Sequence, residues 1–299
     1  MRQKFTLLVI GMLCFCLMSS CGNTSPTLST DDLQWVTDDY GREVRVPLRP
    51  QRIVSTSPAV TEILFAIGAD SLLVGRTDFC TYPPQAAQIT SIGGISNLNI
   101  ESIVALHPDI VISGSIVSAK ITHTLDQMGI PVVCVLEKHH FEGLYDNIAR
   151  IGQLCNHAAQ ADSLNTRLKE QLAALDTSLK REIGQAIPSV YYVVGFGPAG
   201  NFTAGGNTYI NDIISLAGGQ NIAADISGWN YSLESLSDKD PDFIVIRRED
   251  SAHFCSSHPY ANLSAVKRHH VIGVESGIID LQVPRNIDAI REIATRMRL

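Results

Sequence analysis

The sequence lacks several features that mark other classes of protein. No CxxC motif occurs among its seven cysteines, which argues against a structural zinc site and thioredoxin-like redox chemistry. No basic cluster accompanies the net charge of −7, so a nucleic-acid-binding surface is not expected. The Gly-x-Ser-x-Gly elbow that would indicate a hydrolase does not occur. No apolar run reaches the roughly 20 residues that a membrane-spanning helix needs. What remains is an ordinary globular composition, 45% hydrophobic and 18% charged, on a chain long enough for two domains.

The N-terminus has the pattern of an export signal. Arg2 and Lys4 precede an apolar run from Phe5 to Met18, and small residues follow, so residues 1–20 are predicted to be a signal peptide. Leu17-Met-Ser-Ser-Cys21 resembles the lipobox of bacterial lipoproteins. This resemblance implies lipidation at Cys21 and anchoring on the periplasmic or extracellular side of a bacterial membrane. The polar stretch that follows indicates a lipidated tether over residues 21–35.

Short β-branched runs alternate with helical patterns on both sides of one long helix. Strands are predicted at 53–55, 72–74, 109–112, 131–136, 189–194, 242–246 and 271–272, and shorter helices at 60–67, 100–106, 121–128, 209–217 and 287–297. From Ala161 to Ile183 apolar residues recur every three or four positions, which predicts an uninterrupted helix of roughly 40 Å. An alternative for this helix is a coiled-coil or dimer arm.

These patterns predict an α/β protein with two similar lobes, each with a mostly parallel central sheet flanked by helices. One long backbone helix joins the lobes. The expected divisions are an N-terminal lobe at residues 36–156, the connecting helix at 157–184 and a C-terminal lobe at 185–299.

The two halves also share an internal repeat. Glu101 and Glu234 each lie seven residues before a Pro-Asp pair that leads into a predicted strand. Thr61-Glu62-Ile-Leu-Phe-Ala-Ile-Gly68 is likewise similar to Asn211-Asp212-Ile-Ile-Ser-Leu-Ala-Gly218. Two such lobes joined by a rigid helix leave a cleft between them, where α/β proteins commonly bind ligands.

Four segments resemble the helical-backbone metal-chelate receptors. They are Asp39-Tyr-Gly-Arg, Arg52-Ile-Val-Ser-Thr-Ser-Pro, Tyr82-Pro-Pro-Gln-Ala and Asn99-Ile-Glu-Ser-Ile-Val. Members of this family are the substrate-binding proteins of ABC importers for ferric siderophores, haem and vitamin B12. The resemblance runs from about residue 36 to the end and implies a monomeric transport protein without enzymatic activity or a resident cofactor. Its partners would be an ABC permease with its ATPase subunits.

The resemblance further implies that Glu101 and Glu234 dock onto arginines of the permease. One matched charge on each lobe would set the register and the encounter rate of the complex. The alternative is that each glutamate only stabilises the first turn of its helix.

The ligand is expected to be a metal chelate, with a ferric siderophore first, a corrinoid second and haem third. The segment Ile92-Gly-Gly-Ile95 has no tyrosine where the family's haem receptors commonly place one. Thr81 to Ala86 is similar to the vitamin B12 receptors, although their cleft tryptophan in this region has no clear counterpart.

Candidate ligand contacts lie on loops that follow the predicted strands. Arginines could bind an anionic chelate and aromatic rings could cover its flat faces. The candidates are Arg76, Phe79, Tyr82 and His139 in the N-terminal lobe and Phe196, Trp229, Tyr231, Arg247 and Arg285 in the C-terminal lobe, with Asp78, His140 and Arg248 beside them. Adjacent His139 and His140 on an extended segment point to opposite faces, so at most one of them is expected to face the cleft.

Two other functions remain as alternatives. Nine histidines permit a free-metal receptor for zinc or manganese, although no histidine-rich or acidic loop supports one. Gly195-Phe-Gly197-Pro-Ala-Gly200 matches the GxGxxG pattern of dinucleotide-dependent enzymes. Pro198 interrupts that match, and no acid ends a second strand at the expected distance.

Overall fold

The computed structural model describes residues 32–95, 97–114, 119–180 and 186–298. The predicted signal peptide, Cys21 and the tether up to residue 31 lie outside the described residues. The fold begins with an antiparallel hairpin of β1 (Leu33–Thr37) and β2 (Glu43–Pro47). The predicted tether therefore ends sooner than expected, because Leu33 to Trp35 already belong to β1. From Gln34 to Thr37 the side chains of β1 alternate between partly buried and exposed, which matches the pleat of a strand.

The N-terminal half alternates strands and helices as predicted, except for the last helix, which the periodicity did not reveal. Its elements are β3 (Ile53–Ser55), α1 (Pro58–Ala66), β4 (Leu73–Arg76), α2 (Ile100–Ala105), β5 (Ile110–Ser113), α3 (Ala119–Gln127), β6 (Val132–Cys134) and α4 (Gly143–Leu154).

The C-terminal half repeats this alternation after the connecting helix α5 (Ala158–Lys180). Its elements are β7 (Ser189–Val193), β8 (Asn201–Phe202), α6 (Tyr209–Leu216), β9 (Gln220–Asn221), β10 (Asn230–Tyr231), α7 (Leu233–Lys239), β11 (Phe243–Arg247), α8 (Arg248–Ser256), α9 (Ser264–Lys267), β12 (Val271–Val274) and α10 (Asn286–Arg296).

The two central sheets have the same topology. The N-terminal sheet has the strand order β4-β3-β5-β6 and the C-terminal sheet the order β12-β11-β7-β9, and every pair in both sheets is parallel. If the strands are numbered within each central sheet in chain order, both orders read 2-1-3-4. The internal repeat in the sequence therefore corresponds to a repeated fold, and the α/β class is confirmed.

The Pro-Asp pair of each repeat has the same structural role in both lobes. Asp109 Oδ2 accepts hydrogen bonds from the backbone N–H groups of Gln51 and Arg52, at 2.7 and 2.9 Å. Asp242 Oδ2 accepts bonds from the N–H and hydroxyl of Ser189, at 2.8 and 2.7 Å. Each aspartate therefore links the start of the first strand of its central sheet to the strand that it precedes.

The connecting helix α5 packs against both halves. Its residues Ala161, Leu164 and Leu168 are buried in a hydrophobic core that also contains Ile63 of the N-terminal half and Ile287 of the C-terminal half. Gly152 of α4 allows the closest approach, since a Cβ atom there would lie 2.4 Å from the Cβ of Ala161. The residues predicted for the end of this helix, 181–183, lie outside the described residues.

None of the helices in the described part of the chain combines the length and the apolar character that crossing a bilayer requires. Cys80, Cys134, Cys155 and Cys255 are free thiols, and the first three are buried.

Candidate ligand cleft

The carboxyl ends of the two sheets converge on one segment of the C-terminal half, from Glu275 to Arg285, which we term the interlobe segment. It follows β12 and contacts Arg247 at the end of β11. It also contacts Glu137, which follows β6, and Glu62, which lies in the helix that follows β3. The interlobe segment therefore lies at the carboxyl ends of parallel strands, the edge at which α/β proteins commonly bind ligands.

Gln282 fixes the interlobe segment to the N-terminal lobe. It is fully buried, and its side-chain oxygen accepts hydrogen bonds from the backbone N–H of Lys138 at 2.9 Å and from Nδ2 of Asn147 at 3.3 Å. Its side-chain amide donates to the carbonyl of His140 at 2.9 Å, and its backbone N–H donates to Glu137 Oε1 at 3.1 Å. All four partners belong to the N-terminal lobe, so this residue links the two lobes through four hydrogen bonds.

A buried ion pair also crosses between the lobes. Glu62 accepts two hydrogen bonds from Arg285, from Nε and Nη2, both at 3.0 Å, and the two side chains are 3% and 12% exposed. Burial raises the pKa of the Glu62 carboxyl, and the Arg285 guanidinium opposes that rise. The third guanidinium nitrogen of Arg285, Nη1, contacts Glu275 at 3.2 Å.

The Tyr82 ring lies on the face of this guanidinium. The central carbon of the Arg285 guanidinium is 3.5 Å from the ring centroid, which is close for a cation–π contact. Tyr82 is nevertheless 37% exposed. The fold therefore brings together two of the predicted residues, Tyr82 and Arg285. The hydrogen-bond partners of Arg285, however, are carboxylates of the protein itself.

Arg247 is likewise paired within the protein. Its Nε donates to Asp280 Oδ2 at 2.8 Å, and the other oxygen of Asp280 accepts a 2.5 Å bond from the hydroxyl of Tyr192. The hydrogen bond to Asp280 raises the pKa of Arg247. Burial raises the pKa of Tyr192 well above its ordinary value, so its hydroxyl stays a proton donor to Asp280.

The remaining predicted arginines make similar internal contacts. Arg76 donates to the backbone carbonyls of Thr77, Ala86 and Ala87, at 3.0, 3.1 and 3.3 Å. Arg248 is more exposed and contacts the Gly273 carbonyl and Glu292, each at 3.3 Å. Each arginine that was expected to bind an anionic chelate therefore already has a protein acceptor.

Glu137, unlike Glu62, Glu275 and Asp280, has no arginine among its described hydrogen-bond partners. Its described partner is the backbone N–H of Gln282, which does not cancel a full negative charge. The residue is open to solvent, yet protein atoms crowd its carboxyl. This desolvation raises the pKa of Glu137, while the bond from Gln282 lowers it and the nearby Asp280 charge adds to the rise.

Three of the predicted aromatic residues present exposed rings. Phe79 and Tyr82, on the loop after β4, are 60% and 37% exposed, and Trp229, directly before β10, is 46% exposed. Trp229 lies near the carboxyl end of β7, because β10 pairs with β8 and Phe202 of β8 bridges to Gly195. The edges of both lobes thus carry aromatic rings that remain partly open to solvent.

Tyr231 and Phe196 differ from expectation. Tyr231 is only 8% exposed, its ring lies 5.6 Å from that of Tyr191, and its hydroxyl donates to the Ile222 carbonyl. Its neighbour Trp229 points outward instead, so Tyr231 is a core residue and offers no open ring face. Phe196 is half-buried against Phe254 and Tyr260, at centroid distances of 5.1 and 5.5 Å.

His139 and His140 follow β6, and both are exposed. Nδ1 of His140 lies 3.5 Å from Asp212 of the C-terminal lobe. Among residues 32–95, 97–114, 119–180 and 186–298, no three His, Cys, Asp or Glu side chains are grouped so that they could hold a metal ion.

The glycine-rich loop after β7 does not lead into a helix. Gly200 donates its N–H to the Gly197 carbonyl at 3.0 Å, both glycines have positive φ, and the chain then returns as strand β8. The next helix begins at Tyr209. A dinucleotide fingerprint requires the loop to open a helix whose N-terminus faces the phosphates, and this loop does not supply one.

Glu101 and Glu234 are exposed at equivalent places. Each lies in the first turn of a helix, in α2 and α7 respectively. The caps are equivalent as well, since Asn99 and Ser232 accept a hydrogen bond from the backbone N–H of Ser102 and Ser235. The structure therefore presents one matched carboxylate on each lobe.

The sequence-based candidates did not include Glu62, Glu137, Asp280 or Gln282. The repeat contained a signal for Glu62, because an acid occupies the same position of the matched segments in both lobes. No comparable pattern marked Gln282, whose partners depend on the packing of the two lobes.

Comparison with known proteins is consistent with this architecture. The family model described as periplasmic binding protein matches residues 53–276. The chain is 27% identical to the uncharacterized ABC transporter substrate-binding lipoprotein YvrC of Bacillus subtilis, over 98% of this chain and 97% of that protein. It is 28% identical to a cobalamin-binding protein of Halobacterium salinarum, over 98% of this chain and 84% of that protein. The periplasmic heme-binding protein RhuT of Roseiflexus sp. RS-1 has a similar fold, with a TM-score of 0.73 and 23% identity over 82% of this chain and 97% of that chain.

Proposed function

Because the chain belongs to the periplasmic binding protein family, we propose that it is the substrate-binding lipoprotein of an ABC importer and that its ligand is a corrinoid. It captures the corrinoid between its lobes and delivers it to a permease with its ATPase subunits. The relatives that match nearly the whole chain support this proposal, since one is named an ABC transporter substrate-binding lipoprotein and another a cobalamin-binding protein. A binding role of this kind requires no catalytic residues.

The observation that carries the choice of ligand is the pairing of the arginines. Arg285 bonds Glu62 and Glu275, Arg247 bonds Asp280, and Arg76 bonds backbone carbonyls. Arg285 and Arg247 already neutralise protein carboxylates, so an anionic ligand would have to share these charges with the carboxylates or displace them. For Arg285, displacement would leave the buried Glu62 charge uncompensated, which costs several kcal/mol in typical proteins.

The three candidate ligands differ in their charge. Haem carries propionate carboxylates, and ferric catecholates and carboxylates carry negative charge. Cyanocobalamin has no net charge, and the rim of its corrin ring bears amide groups that donate hydrogen bonds. Glu137 is suited to accept such a bond, while Phe79, Tyr82 and Trp229 are suited to cover a flat macrocycle. The internal pairing of the arginines therefore supports our choice of a corrinoid over the ferric siderophore that the sequence alone ranked first.

The lipid anchor is the second part of the proposal. It rests on the lipobox-like segment ending at Cys21 and on the lipoprotein name of the Bacillus relative. A Cys21→Ser variant should be exported without acyl labelling and should leave the membrane fraction. Acyl labelling that persists in this variant would contradict the anchor, whatever the ligand.

Native mass spectrometry of the protein purified from its own host tests the ligand directly. We expect a bound corrinoid, identified by its mass and by the visible absorption of its macrocycle. Bound haem or a ferric siderophore would overturn the corrinoid assignment while leaving the transport role. A bound dinucleotide, or one zinc ion per chain, would instead support the enzyme or the free-metal receptor.

A further inference from the structure

Glu62 carries a buried charge that capture of a corrinoid does not by itself require. It lies on α1, it is 3% exposed, and burial raises the pKa of its carboxyl. Replacing a buried ion pair by apolar side chains is often neutral or stabilising, so stability alone is a weak reason to bury one. The geometry around Arg285 indicates a different use.

The guanidinium of Arg285 is held in its plane from two sides. Glu62 takes Nε and Nη2 through a two-bond contact at 3.0 Å, and Glu275 takes Nη1 at 3.2 Å. The two contacts are unequal, because the side chain of Glu275 is 59% exposed whereas that of Glu62 is 3% exposed. A two-bond pair between a carboxylate and a guanidinium is planar, and a buried one is screened less by solvent. Glu62 therefore sets the orientation of the guanidinium plane.

That plane supports the ring of Tyr82. The distance from the guanidinium carbon to the ring centroid is 3.5 Å, and Tyr82 retains 37% exposure. One face of the ring thus rests on a fixed cation and the rest of the side chain remains open. Tyr82 lies on the loop after β4, so the guanidinium is a rigid support for a residue on an irregular segment.

We propose that Glu62 is a positioning residue for ligand recognition: it holds the Arg285 guanidinium flat beneath Tyr82 and so orients the ring that stacks on the macrocycle. The proposal rests on the proposed function, because it takes Tyr82 as a ligand contact. It assigns specificity to a carboxylate that does not itself touch the ligand. In Glu62→Gln the second guanidinium bond is lost and the charge that holds Arg285 disappears, so the support and the ring above it can rotate.

A double-mutant cycle measured with cyanocobalamin tests the proposal. Glu62→Gln should weaken binding at least tenfold when Tyr82 is present, and less than twofold in a Tyr82→Leu background, because the ring to be oriented is then absent. A purely structural role for Glu62 would weaken binding equally in both backgrounds, and that result would overturn the proposal.

Asp212→Asn is the matched control. Asp212 occupies the equivalent position of the other repeat and also bonds across the lobes, to the backbone N–H of Phe141 at 2.9 Å. The partners described for Asp212 include no aromatic ring in contact with a guanidinium. We expect the affinity of the Asp212→Asn variant for cyanocobalamin to stay within twofold of wild type. A tenfold loss in Asp212→Asn would mean that any broken contact between the lobes weakens binding, which would contradict a specific role for Glu62.

A second readout does not depend on the ligand. Fluorotyrosine incorporated into the protein gives a ¹⁹F resonance for Tyr82, assigned by its loss in Tyr82→Phe. This resonance should shift or broaden in Glu62→Gln and stay unchanged in Asp212→Asn. If wild-type protein binds no cyanocobalamin, the proposed function fails, while an unchanged Tyr82 resonance in Glu62→Gln shows that the positioning role fails.

If Glu62→Gln does not fold, a double variant that lacks both charges takes its place in the cycle. Glu62→Met combined with Arg285→Met removes both charges together, which buried ion pairs commonly tolerate. This variant should lose cyanocobalamin affinity at least tenfold with Tyr82 present and less than twofold with Tyr82→Leu. Equal losses in the two backgrounds would overturn the proposal here as well.

Discussion

Glu62 and Asp212 occupy equivalent positions in the two repeats, and the carboxylate of each reaches across to the opposite lobe. Glu62 bonds Arg285 of the C-terminal lobe, and Asp212 accepts a 2.9 Å hydrogen bond from the N–H of Phe141 in the N-terminal lobe. The two bonds therefore run in opposite directions between similar helices. A repeat that was visible as a sequence pattern thus supplies part of the contact between the lobes.

Removing the weaker of these two contacts should reduce stability moderately. Asp212→Ala leaves the N–H of Phe141 without its charged acceptor and removes an acid from the first turn of α6, so we expect a loss of about 1–2 kcal/mol in the free energy of unfolding. Urea denaturation measures this loss. Asp238→Ala, which removes an exposed acid of α7, serves as the control and should change the free energy by less than about 0.5 kcal/mol. If Asp212→Ala changes the free energy of unfolding no more than the control does, the contact of Asp212 with Phe141 does not stabilise the fold.

The sequence predicted most of the fold because its signals are local. Strand 53–55, the helix near 287–297 and the long helix all follow from periodicity, which one segment carries by itself. The first residues of β1, Leu33 to Trp35, were taken for tether because they lie next to a polar stretch, and β2 was not predicted as a strand. Helix α4 was missed although seven of its residues are buried, since its apolar positions are interrupted by Gly152 and Asn147.

The site was less predictable, because it depends on partners far apart in the chain. The sequence located Tyr82 and Arg285, but it could not show that Glu62 occupies two nitrogens of the guanidinium. Trp229 and Tyr231 looked equivalent, yet alternate residues near a short strand can have different surroundings, and only Trp229 is exposed. Gln282 has no sequence signal at all, because its four hydrogen bonds exist only once the lobes are packed.

Asp242 should make the stability of the protein depend on pH. The backbone N–H of Ser189, followed by its hydroxyl, lowers the pKa of the Asp242 carboxyl. A carboxyl with a lowered pKa stabilises the fold above its unfolded pKa of about 3.9 and loses that contribution as pH falls through the folded value. Because Asp242 is exposed, we expect Asp242→Asn to cost only about 1 kcal/mol at pH 7.

Urea unfolding measured at pH 7 and at about pH 3 tests this dependence of stability on pH. The difference in the free energy of unfolding between Asp242→Asn and wild type should shrink as pH falls below about 3.9, the unfolded pKa of the carboxyl, and disappear below the folded value. Asp238→Asn should show no such change between the two conditions. A difference in Asp242→Asn that stays constant with pH would show that the charge of Asp242 is not involved.

Glu101 and Glu234 are expected to act in transport and not in ligand binding. Both are exposed in the first turn of equivalent helices, so a change to arginine leaves the core and the interlobe segment intact. The double variant Glu101→Arg with Glu234→Arg should abolish corrinoid uptake while affinity stays within about threefold, or roughly 0.7 kcal/mol. Asp238→Arg applies the same charge change elsewhere on α7 and should leave uptake intact. If affinity falls together with uptake, the two glutamates line the cleft and the docking role is wrong.

Ligand binding should move the lobes very little. The connecting helix α5 runs without a break from Ala158 to Lys180, and Gln282 bonds four groups of the N-terminal lobe. Hinge closure needs loop residues that can absorb changes in φ and ψ, so we expect a rotation under about ten degrees. Small-angle X-ray scattering with and without cyanocobalamin measures it. A clear compaction on binding would show that the helix and the Gln282 contacts do not hold the lobes in place.

Isothermal titration of the purified protein with uncharged cyanocobalamin, haemin and a ferric tricatecholate measures the proposed ligand preference. We expect saturable one-to-one binding of cyanocobalamin, and binding at least a hundredfold weaker, or about 2.7 kcal/mol less favourable, for the two anionic chelates. That preference follows from arginines whose partners are already Glu62, Glu275 and Asp280. Tight binding of haemin or of the ferric tricatecholate, with none of cyanocobalamin, would contradict it.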